Sequence, residues 1–213
     1  MGCVMVHMKI VDSPQEDSVL KKGDGTTKQP LILGYELKGV NLGLAGRNST
    51  KDINVFYEID YDHILGTGAS GPVRLCMNRQ TQTQFALKRL SKVQIKSEKL
   101  KQLRAEIAIM IELDHTNILK LIEYFETNDE VYLILELCRG GELLDHLHCQ
   151  PNHQYDEASA CQLIYTMLSA INYCHTMGIM HCDLKLENFL FEKNDDKSQL
   201  KLIGQYHQYF YYI

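Results

Sequence analysis

Residues 181–188 read His-Cys-Asp-Leu-Lys-Leu-Glu-Asn, and this octapeptide decides the fold. Asp183 supplies an acid, Lys185 follows two residues later as a cation, and Asn188 adds an amide that can bind a metal ion. This is the spacing of a loop that orients a hydroxyl group and neutralises charge on a phosphoryl group during its transfer. The octapeptide therefore predicts phosphoryl-transfer chemistry.

A glycine-rich stretch lies upstream of the octapeptide. Residues 66–73 read Gly-Thr-Gly-Ala-Ser-Gly-Pro-Val, which matches the pattern G-x-G-x-x-G-x-V. Backbone N–H groups at such positions can close over the phosphates of a nucleotide. A dinucleotide-binding fold requires a helix directly after the third glycine, whereas Pro72 and the apolar run 73–77 predict a strand. Taken alone, the stretch is equally compatible with a glycine-rich hairpin that binds no ligand.

Two charged residues between these motifs form a candidate pair. Residues 85–88 read Phe-Ala-Leu-Lys and place Lys88 on a predicted third strand, where an ammonium can hold the α- and β-phosphates of a nucleotide. Glu106 follows on a predicted helix and would fix the position and charge of that lysine. The alternative is that both are solvated surface charges.

Hydrophobic periodicity divides the regular part of the chain into two regions. Strand patterns over 59–65, 73–77, 84–89, 118–125 and 131–136, with one helix near 100–111, predict a five-stranded antiparallel lobe. A short helix near 142–148, a longer one over 156–177 ended by Gly178, and short strands near 189–191 and 199–203 follow. The longer helix is predicted to carry one apolar face that consists of Ala160, Leu163, Ile164, Met167, Leu168 and Ile171.

Composition excludes several classes of protein. The formal net charge of -5 gives no basic surface for nucleic acid, so no nucleic-acid partner is expected. The seven cysteines show no regular spacing and no secretory signal opens the chain, which predicts free thiols and a cytoplasmic location. No apolar run reaches the roughly 20 residues that span a bilayer.

Together these motifs resemble the eukaryotic protein kinase family. They occur in the family's order as GTGASGPV, FALK, RAEIAIM, LDHTNI, ILELCRGGEL and HCDLKLEN. The segments LDHTNI and ELCRGGELLD are similar to the corresponding sequences of the calcium/calmodulin-regulated group, and most of all to those of calcium-dependent protein kinases. The resemblance implies an α+β protein kinase-like fold, with an antiparallel N-lobe plus one helix and a partial, truncated helical C-lobe.

The resemblance also implies roles for individual residues. Asp183 would accept the proton of a serine or threonine hydroxyl of a protein substrate, Lys185 would neutralise the transferring phosphate, and Asn188 would hold magnesium. ATP and Mg²⁺ are the implied cofactors. Nucleotide binding is expected at Leu65, Gly66, Thr67, Gly68, Ala69, Ser70, Gly71, Val73, Ala86, Lys88, Glu106, Leu135, Glu136, Cys138, Glu142 and Leu190.

The chain departs from the family pattern at three points. Cys182 replaces the arginine that grips a phosphate on the activation loop, which suggests activation without loop phosphorylation. Gly204 replaces the metal-binding aspartate of the D-F-G motif, so the magnesium site is expected to be incomplete. Resemblance ends after Ile203, without an activation segment or later helices. A catalytically dead binding module and an unstable splice or frame-shift product are therefore alternatives to an active serine/threonine kinase.

The domain organisation predicted from these patterns has three parts. Residues 1–56 form a largely irregular extension, residues 57–203 a partial kinase domain with lobes at about 57–137 and 138–203, and residues 204–213 a divergent aromatic tail. Membrane association is expected only if Gly2 and Cys3 are acylated, although Val6 departs from the acylation pattern. No EF-hand pattern occurs, so no calcium site of the chain's own is expected.

Overall fold

The first lobe is built on a five-stranded antiparallel sheet. The computed structural model of the chain describes residues 52–68, 71–95, 97–195, 198–204 and 207–208. The sheet has the order β1-β2-β3-β5-β4, in which neighbouring strands are antiparallel. Its strands are β1 (Tyr57–Gly68), β2 (Gly71–Asn78), β3 (Gln84–Ser91), β4 (Leu121–Glu126) and β5 (Glu130–Leu135). The predicted five-stranded lobe is thus confirmed, with the loop after Asn78 as the β2–β3 hairpin turn.

One helix packs on the inner face of this sheet. Helix α1 (Ser97–Glu112) buries Leu103, Ile107 and Met110, which recur at the spacing of one helical face. These side chains join the main hydrophobic core with Val73 and Leu133 of the sheet. Glu106 lies three residues after Leu103 and four before Met110, so packing of the apolar stripe also buries its carboxylate near Lys88 of β3.

The outer face of the sheet carries a second hydrophobic cluster. Ile53, Tyr57 and Phe125 are buried there, and the Tyr57 ring meets the Phe125 ring edge-on at 6.1 Å between centroids. Ile53 belongs to a 3-10 turn (Ile53–Val55) that Asp52 caps through the N–H of Asn54. Within the described residues, packing against the sheet thus includes Ile53, which precedes the first strand. Residues 1–51, including Gly2 and Cys3, lie outside the described residues.

The second lobe combines helices with short strands. Its elements are β6 (Gly141–Glu142), α2 (Leu143–Cys149), α3 (Glu157–Thr176), β7 (Ile179–Met180), β8 (Phe189–Phe191), β9 (Leu200–Leu202) and β10 (His207–Gln208). Three further 3-10 turns lie at Lys92–Gln94, Pro151–His153 and Leu186–Asn188. Strands β6, β8 and β9 form one small antiparallel sheet, and β7 pairs with β10. Most of the predicted tail lies outside the described residues.

Helix α3 has clear start and stop signals, and its predicted apolar face is only partly buried. Asp156 caps its first turn through the Ser159 N–H at 2.9 Å, and Gly178 follows its C-cap with a φ of +70°. Ala170 and Cys174 are buried, and Leu163, Met167 and Ile171 pack against the core. Ile164 and Leu168 were predicted to share that face, but they lie on the solvent side, 54% and 58% exposed.

Strand β9 joins the two lobes. Leu202 donates its N–H to the Asn117 carbonyl at 2.8 Å and accepts the N–H of Leu119 at 3.0 Å. The side chain of Asn117 adds a hydrogen bond to the Leu200 carbonyl at 3.0 Å. The segment before β4 is therefore anchored to one edge of β9 by three hydrogen bonds.

Two absences are found within the described ranges. The six cysteines described there are free thiols: Cys76, Cys138, Cys149, Cys161, Cys174 and Cys182. None of the helices found there is long and apolar enough to cross a membrane.

Candidate functional site

An apolar cleft lies between the lobes, beside the strand that ends at Leu135. It is lined by Leu65, Val73, Ala86, Leu119, Leu135, Glu136, Cys138 and Leu190. Seven of these residues are sequence-predicted ligand residues, and the structure brings them together from β1, β2, β3, β8 and the end of β5. Leu119 was missed because it precedes β4 in sequence, and only its hydrogen bond to β9 turns this segment toward the cleft.

The described glycines of the glycine-rich stretch lie at the paired ends of β1 and β2, beside the cleft residues Leu65 and Val73. Gly66 pairs with Val73 and Gly68 pairs with Gly71 across the antiparallel ladder. Gly71 has a φ of +113°, a conformation that L-residues rarely adopt. Thr67 lies on β1 between the paired glycines, whereas the predicted residues Ala69 and Ser70 lie outside the described residues. A strand follows the third glycine, as predicted, so the dinucleotide-binding alternative is excluded.

Lys88 and Glu106 are buried together beneath the glycine-rich hairpin. Lys88 pairs with Val73 on one side and Leu133 on the other, and its side chain is fully buried. Burial lowers the pKa of Lys88 to about 7 and raises the pKa of Glu106 to about 7, and their mutual attraction opposes both shifts. Neither Lys88 Nζ nor Glu106 Oε1 has a hydrogen-bond partner among the residues that the structure describes. An anionic ligand would supply the partner that the lysine lacks.

The segment after β5 forms the rear edge of the cleft. Glu136 donates its N–H to the Lys120 carbonyl at 3.0 Å, which fixes the first peptide of this segment. Cys138 is buried two residues later, and burial raises the pKa of its thiol to about 12. The thiol is therefore neutral at physiological pH and contributes apolar surface to the cleft.

The octapeptide folds into a compact catalytic-loop arrangement. Asn188 donates from Nδ2 to the Asp183 carbonyl at 2.6 Å and to Asp183 Oδ2 at 3.0 Å. The Lys185 ammonium lies 3.4 Å from the same Oδ2. All three predicted catalytic residues thus meet at one carboxylate, which the Asn188 amide holds in a fixed orientation.

Glu142 is placed differently from the ligand residues around it. It ends β6 opposite Leu190, and its side chain is buried. Its expected role in nucleotide binding stays a prediction.

The metal site that the resemblance implies is only half present. Asn188 Oδ1 is buried and has no hydrogen-bond partner in the described part of the chain, so it has the character of a metal ligand. Gly204, however, has no side chain to add the second oxygen ligand, and Mg²⁺ in phosphate sites depends on carboxylates. Across the described ranges, no cluster of three His, Cys, Asp or Glu side chains could hold a metal ion. These residues do not fit a magnesium site.

The space next to Gly204 is filled by His181. The His181 ring is buried and donates from Nε2 to the Ile203 carbonyl at 2.8 Å. A Cβ atom on residue 204 would collide with that ring, and the φ of Gly204 is +138°. The local fold is therefore adapted to glycine at this position.

Comparison with known proteins agrees with this architecture. The protein kinase domain family matches residues 59–204. A probable myosin light chain kinase of Dictyostelium discoideum is 40% identical over 161 residues, which are 76% of this chain and 40% of that protein. Calcium-dependent protein kinase 5 of Plasmodium falciparum is 39% identical over 152 residues, 71% of this chain and 26% of that protein. The twitchin kinase region from C. elegans superimposes with a TM-score of 0.69 at 26% identity, covering 77% of this chain and 29% of the twitchin chain.

The chain belongs to the protein kinase domain family. Its relatives are serine/threonine kinases of the calcium/calmodulin-regulated group, so the predicted family and fold class are both confirmed. The chain spans two fifths of the length of the Dictyostelium relative and about a quarter of the Plasmodium relative.

Proposed function

We propose that this chain binds an adenine nucleotide in the interlobe cleft and does so without dependence on a divalent cation. The observation that carries the proposal is the fully buried Lys88 ammonium, which has no hydrogen-bond partner among the described residues and pairs across the sheet with the cleft residue Val73. The apolar cleft suits a purine ring, and the lysine suits the phosphates. Gly204 and His181 leave Asn188 as a lone metal ligand, so the lysine carries the electrostatic part of phosphate binding.

The binding proposal is tested by isothermal titration calorimetry of ATP with excess EDTA and, separately, with Mg²⁺. We expect saturable binding in EDTA with an affinity that Mg²⁺ changes less than threefold. Lys88→Met should weaken ATP binding by at least tenfold and leave adenosine binding intact, because adenosine has no phosphate. Absence of ATP binding in both buffers, or binding only with Mg²⁺, would overturn the proposal.

Phosphoryl transfer to a serine or threonine hydroxyl is the second candidate function. The geometry of Asp183, Lys185 and Asn188 favours it, since all three converge on the Asp183 carboxylate. In this reaction the hydroxyl oxygen bonds to the γ-phosphorus, the bond from that phosphorus to the β,γ-bridging oxygen breaks, ADP leaves, and Asp183 takes the hydroxyl proton. The missing carboxylate at position 204 removes charge stabilisation, so we expect very slow transfer or none.

Transfer is measured with γ-labelled ATP and a serine-containing basic peptide. Asp183→Asn is the matched control because it keeps the size and hydrogen bonding of the side chain but removes its basicity. Wild-type turnover at the level of Asp183→Asn supports a non-catalytic nucleotide-binding domain. Turnover well above that variant would establish the kinase reaction.

A further inference from the structure

A buried lysine of the second lobe contacts the first residue of the segment behind the cleft. Lys201 lies on β9 with its side chain 8% exposed, and its Nζ is 2.8 Å from Oε1 of Glu136. Glu136 directly follows β5, the last strand of the first lobe. Such a partner offsets part of the cost of removing the ammonium from water. The ion pair therefore spans the junction of the two lobes.

The Glu136 carboxylate is held on its other side by the main chain. Oε2 accepts the N–H of Lys120 at 3.3 Å, while the N–H of Glu136 donates to the carbonyl of Lys120 at 3.0 Å. Together with Lys201, these contacts restrain both the side chain and the backbone of Glu136. Rotation of the next peptide, at the edge of the cleft, is restricted as a result.

The backbone on both sides of Lys201 is held in place by hydrogen bonds of strand β9. The neighbours of Lys201 on both sides are bonded to Asn117, through the Leu202 N–H and the Leu200 carbonyl. Lys201 itself pairs with Leu190, which lines the cleft. Lys201 is absent from the cleft lining, and its ammonium contacts the cleft edge through Glu136.

We infer that Lys201 is a positioning residue for purine recognition: through the Glu136 carboxylate, it holds the peptide segment 136–138 against which an adenine ring binds. This inference rests on the proposed nucleotide binding. Preorganised backbone groups need such supporting contacts to stay within a fraction of an ångström of the binding geometry. Loss of the ion pair should therefore loosen purine binding without altering phosphate recognition.

The test compares adenosine and ATP affinities of Lys201→Met, Glu136→Gln and the double variant. Each single substitution should weaken adenosine and ATP binding by the same factor, about tenfold. In the Glu136→Gln background, Lys201→Met should add less than a twofold change, because the ion pair through which its ammonium acts has already been removed. Glu136→Gln changes a partly exposed side chain, so it remains informative if Lys201→Met fails to fold.

The matched control is Lys92→Met. Lys92 is also a largely buried lysine in an ion pair, with its Nζ 2.9 Å from Glu126 Oε1 and 15% of its side chain exposed, but it follows β3 away from the segment 136–138. The Lys92→Met variant should lose as much thermal stability as Lys201→Met and keep the adenosine affinity of the wild type. A Lys201→Met variant that loses stability while adenosine affinity stays within twofold would show a purely structural ion pair and overturn the inference.

Hydrogen exchange separates this inference from the proposed function. If the wild-type chain binds no adenosine, nucleotide binding fails, yet the amides of residues 136–138 still report on the ion pair. Faster exchange there in Lys201→Met than in Lys92→Met supports positioning by Lys201. Equal exchange in the two variants contradicts it.

Discussion

At the residue scale, the Lys88–Glu106 pair makes the free energy of unfolding depend on pH. Its contribution falls as pH rises toward 7 and increases again above pH 7. The folded-state pKa of Lys88 is below its ordinary value of 10.5, so the unfolded chain binds more protons between about pH 7 and 10.5, and the free energy of unfolding rises with pH there. The folded-state pKa of Glu106 is above its ordinary value of 4.5, so the folded chain binds more protons between about pH 4.5 and 7. Stability from this pair therefore has a minimum near pH 7.

Replacing both charges by methionine should stabilise the protein without a ligand. The double variant Lys88→Met and Glu106→Met replaces two desolvated charged side chains by apolar side chains of similar length. Such replacements of buried ion pairs often raise the free energy of unfolding by about 1–4 kcal/mol. Urea unfolding at pH 5, 7 and 9 should show the largest gain at pH 7. The control is Lys88→Met alone, which leaves Glu106 without its attracting cation and should gain less. A double variant less stable than wild type at pH 7 would contradict this expectation.

Nucleotide affinity should also respond to pH through Lys88. Phosphates attract the protonated lysine, so ATP affinity should weaken as pH rises past the Lys88 pKa of about 7. The ratio of wild-type to Lys88→Met affinity for ATP, measured by calorimetry between pH 6 and 9, cancels the titration of ATP itself. That ratio should fall with pH, while the corresponding ratio for adenosine stays constant. A constant ATP ratio would exclude Lys88 as the titrating group.

At the scale of elements, two adjacent glycines connect the segment behind the cleft to β6 for different reasons. Gly140 donates its N–H to the Phe191 carbonyl at 2.9 Å, and this close approach leaves no room for a side chain. An added Cβ would collide with the Lys193 carbonyl and with the Cβ of Phe191. Gly141 instead has a φ of +87°, and its nearest contact for a Cβ is His146 at 3.7 Å. Replacement of Gly140 is therefore limited by the space for a side chain, and replacement of Gly141 by the backbone conformation.

Alanine substitutions should separate these two constraints. Gly140→Ala meets main-chain atoms that cannot move aside cheaply, so we expect a loss of about 3 kcal/mol or more, at the upper end for overpacking. Gly141→Ala has room for the new side chain, but it places an alanine in the left-handed region of backbone conformation, which should lower the free energy of unfolding by roughly 1–2 kcal/mol. Chemical denaturation of the two variants side by side measures the difference. Equal losses would mean that the backbone around Gly140 relaxes.

At the scale of the whole molecule, helix α3 presents an apolar surface to solvent. Ile164, Tyr165 and Leu168 lie one turn or less apart and are 54%, 70% and 58% exposed. Contiguous exposed apolar side chains of this kind bind hydrophobic dyes and favour association. The fold is therefore expected to show dye binding while still cooperatively folded.

Charged residues on this surface should reduce dye binding without unfolding the protein. Ile164→Glu with Leu168→Lys places opposite charges four residues apart in the favourable order on the helix. We expect lower ANS fluorescence and a free energy of unfolding within about 0.5 kcal/mol of wild type. Val93→Lys, at an exposed apolar residue outside α3, serves as the control and should leave fluorescence unchanged. Unchanged fluorescence in the α3 variant would place the dye site elsewhere.

The catalytic residues could be predicted from the sequence, because their spacing in one motif determines their chemistry. Features that depend on tertiary packing could not be predicted in the same way. The positions of Asp183, Lys185 and Asn188 follow from a contiguous motif, and the structure brings them to one carboxylate. Periodicity predicted helix α3 and several of the residues that pack on the core, but not that Ile164 and Leu168 face solvent, because apolar residues extend beyond the stripe that the core covers. The buried pairing of Lys201 gave no sequence signal, since a lysine in a three-residue strand normally indicates an exposed side chain.

The packing of His181 against Gly204 couples two positions of the chain. An aspartate at position 204 needs a second change at His181 or a shift of the backbone, because the imidazole ring occupies the place of its Cβ atom and is tied to the Ile203 carbonyl. Engineering a metal-binding carboxylate into this site is therefore expected to require the two positions to be exchanged as a pair.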